Sequence, residues 1–200
     1  MRRSGSDQGS PPTPALGFIV AFEAGLGVLA IGLALLFGLS PWLDLDFGLD
    51  GWSAGMLATL PLLLGLWVFD KAHSGWARDL QEFVRHKVVP LFRGASRGGI
   101  MLVALAAGIG EELLFRGVIQ AGLENLIGPW GGLVIASLLF GLAHAMTRSY
   151  FIVTTIIGLY LGLLYQWTGN LLVPILVHFL YDWVALQWYV SRYGGRRGEE

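Results

Sequence analysis

Six long apolar stretches dominate the chain and predict six membrane-spanning helices. The first stretch, residues 17–39, has Glu23 as its only charged side chain and is long enough to cross a hydrocarbon core of about 30 Å. It is too long for the apolar part of a secretory signal, and no small-residue cleavage motif follows it, so we expect a retained span. The other stretches are residues 52–69, 99–123, 130–146, 150–167 and 171–189.

The composition supports a membrane protein and narrows its chemistry. Hydrophobic residues make up 54% of the 200 residues and charged residues only 14%, whereas a soluble domain usually carries about 25% charged residues. The net charge is −1, so the chain lacks the excess of basic residues that nucleic-acid-binding proteins carry, and we expect no nucleic-acid partner. Cysteine is absent, which excludes disulfides, thiolate metal sites and a cysteine nucleophile.

The two polar ends of the chain flank a single predicted helical bundle. Residues 1–16 are rich in Ser, Gly and Pro and predict a flexible tail, and residues 191–200 predict a second tail. Residues 17–190 form the predicted all-α polytopic bundle, with a polar site within 99–189. Little chain remains for a soluble catalytic domain, so any chemistry must lie in the bundle.

The basic residues predict the orientation of the bundle, because Lys and Arg resist translocation. Apart from Arg116, which lies inside a span, they fall on the N-terminal tail, on residues 71–97, on Arg148 and near the C-terminus. Six crossings put all of these positions on one side. We therefore expect both termini in the cytoplasm and a multi-pass protein of the cell (inner) membrane.

The stretch 71–98 contains an amphipathic helix. Apolar side chains recur here at near-helical spacing, with basic side chains on the opposite face, which is typical of a helix lying in the membrane interface. A cytoplasmic loop helix packed on the bundle explains the pattern equally well. The apolar positions are Trp76, Leu80, Phe83, Val84 and Val88, and the basic ones are Arg78, Arg85 and Lys87.

The third apolar stretch carries Glu111, Glu112 and Arg116. Ionisable groups in hydrocarbon cost roughly 2.5 to 3.5 kcal/mol each, so each one is a candidate functional residue. Glu112 and Arg116 are four residues apart, which places them on one helix face and predicts an ion pair. Glu111 points about 100° away and is expected to face a cavity. A buried ion network that only holds helices together is the competing interpretation.

Two later stretches add polar pairs at the same spacing. Phe140 and His144 are four residues apart in the fourth stretch, and His178 and Asp182 are four apart in the sixth. A carboxylate beside imidazoles can activate water as a general base. Glu23 in the first stretch could approach this cavity, although snorkelling to the cytoplasmic interface is the simpler explanation.

Taken in order, the three motifs resemble those of the CPBP intramembrane proteases. The motifs are Glu-Glu-x-x-x-Arg at 111–116, Phe-x-x-x-His at 140–144 and His-x-x-x-Asp at 178–182. This family comprises the type II CAAX prenyl endopeptidases and the bacterial Abi or bacteriocin-processing proteins. The resemblance covers roughly residues 99–189 and implies an intramembrane endopeptidase that acts on a peptide or membrane-protein substrate in the lipid bilayer.

The resemblance also implies roles for individual residues. Glu111 and His144 would activate a water that attacks a peptide carbonyl, while His178 and Asp182 would support the oxyanion. Glu112, Arg116 and Phe140 would have supporting roles. The eukaryotic enzymes have asparagine where this chain has Asp182. An ionised aspartate would repel an oxyanion, so Asp182 must be protonated, donate through water, or instead orient His178 through its ring nitrogen, and we favour orientation.

Other functions remain open at this stage. The family resemblance implies no cofactor, but Glu111, His144 and His178 could instead bind Zn²⁺ in a metalloprotease, although no His-Glu-x-x-His motif is present. A transporter or proton path lined by the same polar groups is another alternative. A membrane protein that scaffolds partners and has lost activity is a further one.

The depths of the polar residues present a difficulty. Glu111 and His178 lie about 18 Å from the cytoplasmic ends of their stretches, whereas His144 is close to the end of its own. Either the fourth helix continues past Met146, or the hairpin around Arg148 is sunk in the bundle.

Overall fold

The computed structural model describes residues 14–194 and shows an all-α bundle in this range, without strands. The helices are α1 (Pro14–Phe37), α2 (Leu49–Asp70), α3 (Gly75–Phe83), α4 (Arg97–Glu112), α5 (Ala121–Ile127), α6 (Pro129–Ala143), α7 (Arg148–Thr168) and α8 (Leu172–Tyr193). The predicted fold class is therefore confirmed. Most of the two predicted tails lies outside the described residues, although α1 already begins at Pro14 and α8 continues to Tyr193.

The third predicted span is a single helical segment with an irregular middle. α4 passes into wider π-type turns at Leu113–Gln120 and then into α5, so that residues 97–127 run as one segment of 31 residues. Such π-type turns are rare and are often found at functional sites. Here they follow Glu112 directly and contain Arg116.

Within residues 14–194, four helical segments are long and apolar enough to cross a membrane, namely α1, α2, the α4–α5 segment and α7. The other two predicted spans also form helices, but α6 has only 15 residues. Its length of about 22 Å falls short of a hydrocarbon core of about 30 Å. α8 has 22 residues but carries His178 and Asp182. That α6 and α8 also cross the membrane, which would make six crossings, therefore stays a prediction.

Glycines let the helices approach closely around the polar site. The Cα of Gly110 in α4 packs against the backbone of Glu23 and Gly27 in α1, where an added Cβ would collide with the Glu23 carbonyl. Gly108, on another face of α4, lies against the backbone of α8 near Phe179. Small residues bring membrane helices together in this way. α4 is consequently held between α1 and α8.

The amphipathic helix α3 packs on the bundle. Leu80 is buried, and the ring of Phe83 lies 5.3 Å from that of Tyr150 in α7. The chain then continues through Val84–Val88 and Val89–Phe92, where Phe92 is buried. Trp76 stays 54% exposed. The inner face of the helix therefore belongs to the bundle, as the loop-helix alternative predicts, while Trp76 still presents an apolar ring outward.

A polar clamp holds the start of α8 at the end of the bundle away from α3. The side chain of Asn170 accepts a hydrogen bond from the Asp46 N–H at 3.1 Å and donates to the Asp46 carbonyl at 2.8 Å. The Tyr165 hydroxyl donates to Asp44 at 2.6 Å. The loop before α2 is thereby fixed to the turn between α7 and α8.

Candidate active site

Glu112 is the centre of the polar site and is fully buried. Its Oε1 accepts a hydrogen bond from Nη1 of Arg116 at 2.8 Å, which confirms the ion pair predicted from their spacing. The same oxygen lies 2.7 Å from Nδ1 of His178 in α8. Arg116 also donates from Nη2 to the carbonyl of Gly158 in α7 at 3.0 Å. Glu112 and Arg116 together tie α4, α7 and α8.

The contact between Glu112 and His178 was not predicted. The spacing of four predicts only Arg116 as a partner of Glu112, because spacing within one helix reveals neighbours on that helix alone. A signal was nevertheless present, since Glu111 and His178 lie at the same expected depth in their spans. Residues at equal depth on adjacent helices can meet.

Glu111 lies beside His144. Its Oε2 is buried without a hydrogen-bond partner and is 3.6 Å from Nε2 of His144. This distance is too long for a hydrogen bond between the two atoms. A water molecule that hydrogen-bonds to both atoms would lie to one side of the line that joins them. The two atoms are therefore close enough for one water to bridge them.

The shortness of α6 explains how His144 reaches Glu111. α6 ends at Ala143, His144 is its C-terminal cap, and α7 begins at Arg148. Glu111 is 14 residues beyond the start of α4, or about 21 Å along it. A turn that meets Glu111 must be sunk in the bundle, which is the second of the two alternatives above.

His178 has a carboxylate at each ring nitrogen. Glu112 approaches Nδ1, and Oδ2 of Asp182 lies 3.4 Å from Nε2. Carboxylates only accept hydrogen bonds, so the arrangement suits a ring with a hydrogen on both nitrogens. Glu112, at the shorter distance, is the stronger orienting partner. Asp182 is one-third exposed and stands towards the cavity described below.

Phe140 connects the aromatic and charged parts of the site. Its ring is buried and lies 4.7 Å from the ring of His144 and 5.9 Å from that of His178. The guanidinium of Arg116 stands 4.5 Å over the same ring. The Phe140 carbonyl also lies 2.9 Å from Nδ1 of His144. Phe140 thus fixes both imidazoles relative to Arg116.

A cavity of about 390 Å³ opens beside the two histidines. His144, His178 and Asp182 line it at one end, and most of the remaining wall is apolar or aromatic. Phe69, Trp76 and Leu80, from α2 and α3, belong to this wall, so the cavity extends towards the stretch predicted to be cytoplasmic. An apolar segment that enters from this side would meet the histidines.

Two expectations are corrected by the structure. Glu111 was expected to face a cavity, but it does not line the one found; it is buried behind His144 because α1 and α8 close on α4 at this level. Glu23 was expected to snorkel to the interface. Instead its Oε2 is buried and its carboxyl group lies beside that of Glu111, since the close contact at Gly110 draws α1 inward.

The zinc alternative finds no preformed ligand set. Among residues 14–194, no three His, Asp or Glu side chains converge in a way that could hold a metal ion. Nδ1 of His178 contacts Glu112, whereas Glu111 lies beside His144. We therefore derive no step through a metal.

Comparison with known proteins identifies the segment that carries these motifs. Residues 95–184 match the family described as type II CAAX prenyl endopeptidase Rce1-like. This match confirms the resemblance to CPBP proteases over the segment that contains Glu111, His144, His178 and Asp182. α1, α2 and α3 lie outside it.

One curated protein is similar to the chain over about half of its length. The chain is 41% identical over 95 residues to the uncharacterized protein YpbD of Bacillus subtilis strain 168. The alignment covers 46% of this chain and 46% of that protein, so the chain spans about half the length of the relative. No solved structure matches the chain significantly.

Proposed function

We propose that the protein is an intramembrane endopeptidase of the glutamate type, with Glu111 and His144 activating the attacking water. The observation that carries the proposal is the approach of Glu111 Oε2 to His144 Nε2 at 3.6 Å, behind the point where His144 lines an apolar cavity. The match of residues 95–184 to an endopeptidase family supports it.

In the proposed reaction a water bound between Glu111 and His144 loses a proton to Glu111. The resulting hydroxide attacks the carbonyl carbon of the scissile peptide bond, and the carbonyl oxygen takes the negative charge. Glu111 then gives its proton to the leaving nitrogen as the C–N bond breaks. General-base and general-acid steps of this kind commonly contribute about 10² to 10⁴ in rate.

His178 stabilises the oxyanion in this proposal. Its Nδ1 is held by Glu112, which leaves Nε2–H on the side of the cavity where Asp182 also stands. At 3.4 Å from Nε2, Asp182 helps to orient the ring. A preorganised donor towards the developing charge is usually a large term in catalysis.

The substrate in this proposal is a peptide or a segment of a membrane protein with apolar side chains. The cavity wall between the histidines and α3 is apolar, with Phe69, Trp76 and Leu80 near the predicted cytoplasmic end. Burial of apolar side chains there would contribute roughly 25 cal/mol per Å². Both termini in the cytoplasm and residence in the cell membrane form part of the same proposal.

The experiment compares the termini of membrane proteins in cells with active protein and with Glu111→Gln. Terminal-peptide mass spectrometry should find new N-termini after apolar sequences only with the active protein. Purified protein should also retain its cleavage in strong chelators and contain far less than one equivalent of zinc. Stoichiometric zinc that is lost together with activity would favour the metalloprotease alternative.

A further inference from the structure

Glu23 is the only charged residue of α1, and it lies outside the segment that matches the endopeptidase family. Its carboxyl group lies beside that of Glu111. Its Oε2 is buried without a hydrogen-bond partner, as is Oε2 of Glu111. A fourth helix thereby brings an acidic group to the proposed base, and none of the three motifs accounts for it.

The backbone fixes this contact. The Cα of Gly110, which precedes Glu111, packs so tightly on the Glu23 carbonyl that a Cβ would not fit. Gly27, one helical turn further along α1, touches the same glycine. α1 therefore holds Glu23 at the level of Glu111, and the contact does not depend on a flexible side chain alone.

Two neighbouring carboxyl groups in a buried site are expected to hold a proton between them. A carboxylate can only accept a hydrogen bond, so one member of the pair is the donor. Two adjacent negative charges in a low-dielectric site also repel each other strongly, which is why paired carboxylates share one proton. Neither group has a Lys or Arg partner among the described residues.

We propose that Glu23 is a positioning residue for Glu111, with which it shares one proton. This inference rests on the proposed function. The shared proton passes to Glu23 when Glu111 acts as the base, and the hydrogen bond that Glu23 then donates fixes the plane of the Glu111 carboxylate relative to His144. The proton taken from water goes to Glu111 and then to the leaving nitrogen, so the pair returns to its starting protonation.

The position of Glu23 limits how it can act. It does not line the cavity, so it has no direct contact with a substrate held there. Its effect should therefore appear in kcat through Glu111 and not in KM. A hydrogen bond to a charged group is worth about 1.5 to 3 kcal/mol, or roughly 10- to 100-fold in rate.

The first test uses infrared spectroscopy of the purified full chain in lipid and needs no substrate. The wild type should show the C=O stretch of a protonated carboxylic acid at neutral pH. Glu23→Gln should remove or shift this band. Phe22→Leu changes the exposed neighbour of Glu23 and should leave the band unchanged. An identical band in wild type and Glu23→Gln would overturn the shared proton.

The second test measures cleavage kinetics. Glu23→Leu should lower kcat roughly 10- to 100-fold with KM unchanged, since it removes the hydrogen bond to Glu111. Glu23→Gln should recover part of the loss, because its amide can still donate. In a Glu111→Gln background, Glu23→Leu should cause no further loss. Phe22→Leu should behave as wild type in every measurement.

The outcomes separate this inference from the proposed function. Cleavage that depends on Glu111 but is unaffected by Glu23→Leu would overturn the inference and leave the endopeptidase in place. Glu23 would be only structural if both of its variants lowered kcat together with the melting temperature, and if this loss added to the effect of Glu111→Gln. A carboxyl band that depends on Glu23, without any Glu111-dependent cleavage, would contradict the proposed function itself.

Discussion

Oε1 of Glu112 lies 2.7 Å from Nδ1 of His178, although the two residues are 66 positions apart and on different helices. The same oxygen also binds Arg116. Glu112 is therefore the residue through which the first motif determines the orientation of the third. Its neighbour Glu111 contacts different helices through His144 and Glu23. The two adjacent carboxyl groups consequently have separate surroundings and should respond differently to substitution.

Glu112→Gln should destabilise the protein. The amide removes the negative charge between the Arg116 guanidinium and His178, and an uncompensated buried charge typically costs about 3 to 5 kcal/mol. We expect low expression and a lowered melting temperature in detergent. Glu82→Gln, at an exposed position of α3, is the control and should melt as wild type does. If Glu112→Gln melted at the same temperature as this control, the central role of Glu112 in the bundle would be wrong.

Asp182→Asn should retain activity within about tenfold of wild type. Asparagine stands here in the eukaryotic enzymes whose motifs this chain resembles, and its side chain can still hydrogen-bond near Nε2 of His178. Asp182→Leu removes the partner and should lower kcat roughly 10- to 100-fold. Cleavage rates of the two purified variants on one substrate test this difference. Equal losses in both variants would mean that the charge of Asp182, and not its hydrogen bonding, is required.

Gly110→Ala should weaken the contact between α1 and α4. The new Cβ would collide with the Glu23 carbonyl, and overpacking of this kind costs about 1 to 3 kcal/mol. Gly32→Ala is a matched control in α1, since an added Cβ there meets nothing within 4 Å. Thermal unfolding should show a lower melting temperature for Gly110→Ala and an unchanged or higher one for Gly32→Ala. The reverse order would argue against the close approach of the two helices.

The sequence predicts contacts within helices well and contacts between helices poorly. The pairs Glu112–Arg116, Phe140–His144 and His178–Asp182 all follow from a spacing of four, because the helical period fixes them. Glu112–His178 and Glu23–Glu111 depend on how helices pack, which no spacing encodes. Snorkelling was the wrong prediction for Glu23 because the fit of Gly110 against α1 involves a glycine with no side chain to signal it.

The orientation of the bundle is open to a direct test, since the native chain has no cysteine. Ser40 follows α1 and Ser74 precedes α3; both are exposed, and neither caps its helix through a side-chain hydrogen bond. Ser40→Cys should react with an impermeant thiol reagent added outside intact cells, and Ser74→Cys should react only after the cells are opened. Labelling of Ser74→Cys in intact cells would reverse the proposed topology.

The central claim is that Glu111 and His144 activate water together, and the most direct measurement is the cleavage rate of purified Glu111→Gln, His144→Ala and the double variant in lipid vesicles. We expect all three to fold and melt close to wild type and to cleave about 10² to 10⁴ times more slowly. The double variant should be little worse than either single one, because the residues act as a unit. Near-wild-type cleavage by Glu111→Gln, with a fall in stability like that of Glu112→Gln, would show that both carboxylates are structural and would contradict the account.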